Sequence, residues 1–358
     1  MHATPGSLLI VGFEGQRAPA DLLARLAAGR LGGIILFARN LAAAADGSGV
    51  DLAQVQALVA SLRAAAPAGA PAPILSVDQE GGRVQRLRAP LSVWPPRARL
   101  AGRGAALAQE VGQALGRELQ ALGFNLDYAP VLDVHTNPQN PIIGDRAFGT
   151  TAAEVAQQAL AFLRGLESAG VRGCGKHFPG HGDTSQDSHL TLPRVERPLA
   201  ELRAVELSPF AAAVRAGVGM LMTAHVVYSA VDALPATLSP RWLEQILRQE
   251  LGFEGVILSD DLEMGAVADG DVGEVIVASL LAGCDAFLIC REAERQARAE
   301  EALLRAAERD SRVRARIAEA TGRLLRFRSG LPAAAAVPLS QVRALQAEHQ
   351  RLVATLRG

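Results

Sequence analysis

The chain has 358 residues, of which 49% are hydrophobic, 20% charged and 4% aromatic, which excludes a disordered chain, a collagen and a disulfide-stapled miniprotein. Acids and bases are interspersed at a formal net charge of -1, so neither a basic face for nucleic-acid phosphates nor a polyacidic tail is encoded. The three cysteines, Cys174, Cys284 and Cys290, have no C-x-x-C spacing, which argues against a disulfide framework and a zinc knuckle and for a reducing compartment.

The first residues, MHATPGSLLIVGFEGQ, lack the basic segment and small-residue cleavage site of a secretory signal, and their apolar run, 8–13, is too short for one. No apolar stretch of about 20 residues follows, so no membrane span is expected and a cytoplasmic location is. Run 8–13 is the first of eight strand candidates, the others being 33–37, 74–78, 125–130, 173–177, 220–225, 256–260 and 286–290. Between them lie amphipathic stretches of crossover length at 19–28, 52–64, 104–122, 152–169, 199–216, 240–251 and 272–282.

Alternation of β and α requires a parallel sheet, because parallel strands need crossover connections. Eight such units predict an α/β fold of the (β/α)8 TIM-barrel type, a single domain over residues 1–330. An Ala/Pro linker, 331–338, then leads to a C-terminal helix within 339–358, docked on the barrel through apolar positions such as Val342 and Leu352. Asp78, His177, His225 and Asp260 each end a strand run. A closed barrel gathers such ends on one rim, where active sites sit, although each could instead cap the helix that follows.

Four segments carry the polar chemistry, in chain order. Residues 78–86, DQEGGRVQR, combine acids, a Gly-Gly turn and two arginines, and a carboxylate beside a guanidinium suits neighbouring sugar hydroxyls; a plain salt-bridged loop is the alternative. A loop at 137–150 contains Arg146. Residues 176–189 hold three of the seven histidines. Gly170 to Lys176 fits the phosphate-loop pattern G-x-x-x-x-G-K, but His177 replaces the required Ser/Thr, and Pro179-Gly180 breaks the helix that should start there. A loop-borne metal site could draw on His177, His181, Asp183, Asp187 and His189. Asp187 and His189 could instead pair as an oriented general acid/base, or the loop could simply be held by its own hydrogen bonds. The fourth segment, Ser259-Asp260-Asp261-Leu262-Glu263-Met264, sets two carboxylates at a strand end, and strand parity does not choose between Asp260 and Asp261 as the one facing inward. Lys176 is the single lysine among 36 Lys and Arg residues, which suggests a site needing a compact ammonium rather than a planar fork.

Together these segments resemble the family 3 glycoside hydrolases, and within them the single-domain bacterial β-N-acetylhexosaminidases that recycle cell-wall fragments. The motifs carrying the resemblance are DQEGGRVQR at 78–86, APVLDV at 129–134, GDRAFG at 144–149, KHFPGHGDT at 176–184, DSH at 187–189 and SDDLEMGA at 259–266. The resemblance implies that Asp260 is the nucleophile and His189 the general acid/base with Asp187 as its dyad partner. It also implies that Asp78, Arg86, Arg146, Lys176 and His177 hold a nonreducing N-acetylglucosamine. The implied activity is a retaining exo-β-N-acetylglucosaminidase acting through a covalent glycosyl-aspartate, without metal or organic cofactor. Its substrate would be the small N-acetylglucosaminyl-anhydro-muramyl peptides of peptidoglycan turnover, with no nucleic-acid or membrane partner and an open oligomeric state. Three other readings remain: a phosphorylase on the same site, because a neutral imidazole repels phosphate less than a carboxylate would, a metal-dependent barrel hydrolase, and a silent sugar-binding protein.

Overall fold

The computed structural model describes residues 4–185, 192–265, 270–332 and 337–357. Eight barrel strands follow one another: β1 Leu9–Val11, β2 Gly33–Leu36, β3 Ile74–Val77, β4 Leu126–Asp127, β5 in two pieces (Arg172–Gly173 and Gly175–Phe178), β6 Met220–Thr223, β7 Val256–Asp261 and β8 Ala286–Ile289. Every barrel pairing is parallel, and the ladder runs from the first piece of β5 through β4, β3, β2, β1, β8, β7 and β6 to the second piece of β5. Only Cys174 separates those two pieces, so the ladder closes on itself as an eight-stranded barrel. Strands β1, β2 and β8 are apolar along their whole length rather than alternating because both faces are covered, by barrel interior on one side and helices on the other.

The outer layer comprises α1 Ala20–Ala27, α2 Leu52–Ala64, α3 Ala105–Ala121, α4 Ala152–Ser168, α5 Leu199–Ala204, α6 Leu207–Arg215, the π-wound α7 Arg241–Glu250, α8 Val272–Ala282, α9 Ala293–Arg309 and α10 Ser311–Ser329. Helices α3 and α4 lie unusually close. A Cβ on Gly112 would stand 2.1 Å from the Phe162 carbonyl oxygen and one on Gly165 2.0 Å from that of Gln109, so only glycine permits this crossing. The single helix expected at 199–216 is two, α5 and α6. Its break follows from Pro209, whose ring would strike the Val205 carbonyl of a continuous helix and which has no N–H to donate to it. A last helix, α11 Leu339–Arg357, buries Val342, Leu352, Val353 and Leu356 and packs against α3 and the turn Arg97–Leu100. No helix among the described residues is long and apolar enough to cross a membrane.

At the N-terminal end of β8, buried Asp285 meets three guanidinium groups: Arg248 at 2.5 Å, Arg316 at 2.7 Å and Arg323 at 3.2 Å. Its Oδ2 also accepts the Ile257 N–H at 2.9 Å, which ties the start of β7 to α7 and α10. Removing the charge while keeping the shape leaves buried cations uncompensated. Asp285→Asn is therefore expected to cost about 3 kcal/mol in urea denaturation, with KM unchanged because the cluster lies at the end of the barrel away from the strand C-termini. A loss under about 1 kcal/mol would show that the arginines find other partners.

Candidate active site

A cavity of about 260 Å³ opens at the C-terminal ends of the strands, and its floor is built by three segments. Beyond β3 the chain stays extended, so Asp78 and Glu80, two apart, point the same way. Gly81 and Gly82, both at positive φ (97° and 59°), then turn it back so that Gln79–Gly81 pairs with Val84–Gln85 and returns Arg86 beside Asp78. The turn Gly144–Arg146, after β4, supplies Arg146, and β5 supplies Lys176 and His177.

These side chains form one buried network. Arg146 grips Glu80 with two parallel bonds, Nε to Oε2 and Nη2 to Oε1, both 2.8 Å. Lys176 Nζ lies 2.7 Å from Glu80 Oε1 and 2.8 Å from Asp78 Oδ1, and Arg86 reaches Asp78 Oδ2 at 3.3 Å. Burial alone would neutralise Glu80, but Arg146 and Lys176 outweigh it and hold the carboxyl well below the usual range. Burial likewise opposes the charge on Lys176, and Asp78 and Glu80 reverse this to raise its affinity for the proton. His177 is oriented from behind: its Nδ1 lies 2.6 Å from Asp133 Oδ2, while Asp133 Oδ1 accepts the backbone N–H groups of His177 and His181. With Nδ1–H donating to Asp133, Nε2 is left to face Arg146, 3.4 Å away, and the cavity.

Across the mouth, both Asp260 and Asp261 line the cavity, because β7 shifts register against β8 between Leu258 and Asp261 and strict alternation fails there. Their environments differ. Asp261 Oδ1 accepts the backbone N–H groups of Glu263 and Cys290, and burial, then the charge of Glu263, push its carboxyl up to about 7. Asp260 is half-buried and accepts only the Asp261 N–H, at 2.8 Å, among the described residues. It has an oxygen to spare for the cavity.

Asp78, Arg86, Arg146, Lys176, His177 and Asp260 thus surround one cavity. His225 does not line it. Its ring is buried behind β7, with Nδ1 2.8 Å from Thr237 Oγ1 and Nε2 3.1 Å from the Asp261 carbonyl oxygen, so it braces the strand end instead. Asp187 and His189 lie outside the described residues. Of the other loop histidine and acid, His181 Nδ1 is 2.9 Å from Thr184 Oγ1 and burial lowers its proton affinity to about 4, while Asp183 is paired with Arg197 at 3.0 Å. Among the described residues, no three His, Cys, Asp or Glu side chains are grouped to hold a metal ion. The residues after Lys176 continue as strand, so the phosphate-loop helix is absent.

Glu80 and Asp133 are central to this arrangement, yet sequence reasoning does not pick either out as a site residue. The two-residue spacing of Asp78 and Glu80 was the available signal for the first; Asp133, at the end of the 129–134 motif, carries none in its own spacing. A third buried acid, Asp127 at the end of β4, accepts the Gln79 N–H through Oδ1 and leaves Oδ2 without a partner, and burial pushes it up to about 7.

Comparison with known proteins adds the following. The Glycosyl hydrolase family 3 N terminal domain matches residues 6–327. A beta-hexosaminidase of Methylococcus capsulatus is 43% identical over 294 residues, 81% of this chain and 84% of that protein. Among solved structures, a glycoside hydrolase family 3 beta-N-acetylglucosaminidase from Paenibacillus sp. superposes with a TM-score of 0.90 at 42% identity, covering 98% of this chain and 67% of that one. NagZ from Neisseria gonorrhoeae in complex with N-trifluoroacetyl-D-glucosamine superposes with a TM-score of 0.76 at 34% identity, covering 97% and 96%.

Two tests follow from the geometry. Lys176→Arg should fold but bind substrate more weakly, since a planar fork cannot place one nitrogen within 2.8 Å of both Asp78 and Glu80; an unchanged KM would show that any cation serves. Asp127 has a raised pKa, so its stabilising contribution is complete below the ordinary carboxylate range and is lost as pH rises through about 7. Asp127→Asn should therefore gain stability relative to the parent protein as pH rises from 4 to 8 in urea denaturation, and a difference independent of pH would contradict this.

Proposed function

The chain belongs to glycosyl hydrolase family 3 and is a β-N-acetylhexosaminidase; from that premise we propose that it is a retaining exo-β-N-acetylglucosaminidase whose nucleophile is Asp260. The observation carrying this is the distribution of partners among the cavity's acids. Asp78 and Glu80 are engaged by cations, and Asp261 is protonated over most of the range below neutrality, whereas Asp260 presents an unclaimed carboxylate oxygen. A carboxylate saturated by Lys and Arg is a poor nucleophile, because bond formation would have to break those contacts.

In the first step Asp260 attacks the anomeric carbon while the glycosidic bond breaks, and His189, oriented by Asp187, gives its proton to the departing oxygen. In the second, His189 takes a proton from water, water displaces the aspartate, and the sugar leaves with its original anomeric configuration. Asp78, Arg86, Arg146, Lys176 and His177 hold the sugar hydroxyls: carboxylates accept from them and cations donate to them. The buried network floors a cavity of about 260 Å³, a size that supports binding of a single terminal sugar ring as an exo-acting enzyme uses. The N-acylglucosamine held by the similar Neisseria protein supports the sugar class. We assign the natural substrate to N-acetylglucosaminyl-anhydro-muramyl peptides in the cytoplasm, on the strength of the sequence resemblance.

Incubation with an activated fluorinated N-acetylglucosaminyl donor, followed by peptide mass spectrometry, should find the label on Asp260 and none in Asp260→Ala. Label on Asp261 or Glu80 would overturn the assignment. His189→Ala should slow substrates with poor leaving groups far more than those with good ones, on the order of a hundredfold against a few-fold, and an equal loss would remove His189 from the acid role.

A further inference from the structure

We propose that His349, on the C-terminal helix α11, is a positioning residue for the sugar-binding turn at 79–86. It lies outside residues 6–327, which the family domain matches. Its imidazole is 4% exposed, and Nδ1 donates to Glu118 Oε1 at 2.8 Å. Glu118, on α3 and 1% exposed, also accepts Ser92 Oγ at 2.5 Å and Trp94 Nε1 at 3.4 Å. The His349 ring further packs on the Trp94 indole, with centroids 5.8 Å apart. One buried carboxylate therefore gathers donors from α11 and from both ends of the segment 92–94.

That segment is the backing of the turn. The Trp94 N–H donates to Gln85 Oε1 at 3.0 Å, and the Trp94 carbonyl accepts the Gly82 N–H at 2.8 Å. Gln85 Nε2 donates to the Ser92 carbonyl at 2.7 Å, and three residues past Trp94 the Arg97 guanidinium donates to the Glu80 carbonyl. Gln79–Gly81 and Val84–Gln85 form an isolated two-stranded pair outside the barrel ladder, so the barrel alone does not hold it. Such a pair is marginal by itself and takes its position from what it packs on. Besides the bonds from Asp127, Arg146 and Lys176, the angle at which Glu80 and Arg86 reach the cavity is therefore set by Trp94, which Glu118 and His349 hold in place.

A buried imidazole–carboxylate pair costs desolvation that an apolar contact would avoid, while a fully donated carboxylate fixes direction, which apolar packing does not. A residue that merely glued α11 to α3 would move stability and leave substrate affinity alone.

This rests on the cavity being the sugar site, and the fluorinated-donor label on the parent protein reports on that separately. His349→Ala, His349→Gln and Ser92→Ala are compared with Glu348→Gln, an exposed neighbour on the same helix, by KM and kcat on a chromogenic β-N-acetylglucosaminide well below each variant's Tm. We expect His349→Ala to raise KM roughly fivefold with kcat within about twofold, Ser92→Ala to shift KM in the same direction, and His349→Gln, which retains a donor, to recover most of the loss. Glu348→Gln should match the parent. If His349→Ala does not fold, Ser92→Ala carries the comparison. An unchanged KM in His349→Ala and Ser92→Ala, or in Ser92→Ala where His349→Ala does not fold, with or without a lowered Tm, overturns the proposal while labelling of Asp260 leaves the reading of the site intact.

Discussion

The carboxylate of Glu80, shared between the fork of Arg146 and the ammonium of Lys176, is the interaction on which the cavity depends. At 1% exposure, a lone carboxylate would cost several kcal/mol or take up a proton. Here it stays ionised because cations arrive from two other segments, one after β4 and one on β5. They can do so only if β5 sits between β4 and β6, so closure of the barrel and compensation of the charge are the same event. Once assembled, the floor is rigid, since moving any one side chain uncovers another's charge.

The network also sets what the cavity can take. Four cations, Arg86, Arg146, Lys176 and Arg291, line the cavity together with the acids Asp78 and Glu80 of the floor and Asp260 across the mouth. Both signs of charge are present, and the surface is rich in both donors and acceptors. That suits a neutral polyol, whose every hydroxyl needs both, better than an anion or an apolar ligand. The raised proton affinity of Asp261 keeps a second carboxylate charge away from the neighbouring Asp260 below neutrality.

Much of this was legible in the sequence. Eight short apolar runs alternating with crossover-length helices predict the barrel because parallel strands covered on both faces must be apolar throughout, and each run contains an observed strand or most of one. The strand-end rule correctly brought Asp78, His177 and Asp260 to one rim. His225 reaches the same rim, with Nε2 3.1 Å from the Asp261 carbonyl oxygen, but turns sideways into a bracing contact rather than into the cavity, and nothing in the local sequence distinguishes the two. Parity could not separate Asp260 from Asp261 for a physical reason: the shift of β7 against β8 suspends the two-residue period at that point. Glu80 and Asp133 were invisible as partners because their bonds cross between segments 66 and 44 residues apart.

The survival of one lysine in a chain that otherwise uses arginine has a geometric reading. Arginine binds best when one acceptor offers two lone pairs in its plane, as Glu80 does to Arg146. Lys176 meets the opposite demand, because two carboxylates on different residues lie 2.7 and 2.8 Å from a single nitrogen. A tetrahedral ammonium can address both and keep a third N–H for a ligand, whereas a guanidinium placed between them would present its fork to one and its flat face to the other. On a solvated surface the two cations exchange freely, and drift in composition can replace one by the other. In a buried pocket the shape of the donor decides, and Lys176, 3% exposed between Asp78 and Glu80, stands where that shape counts most.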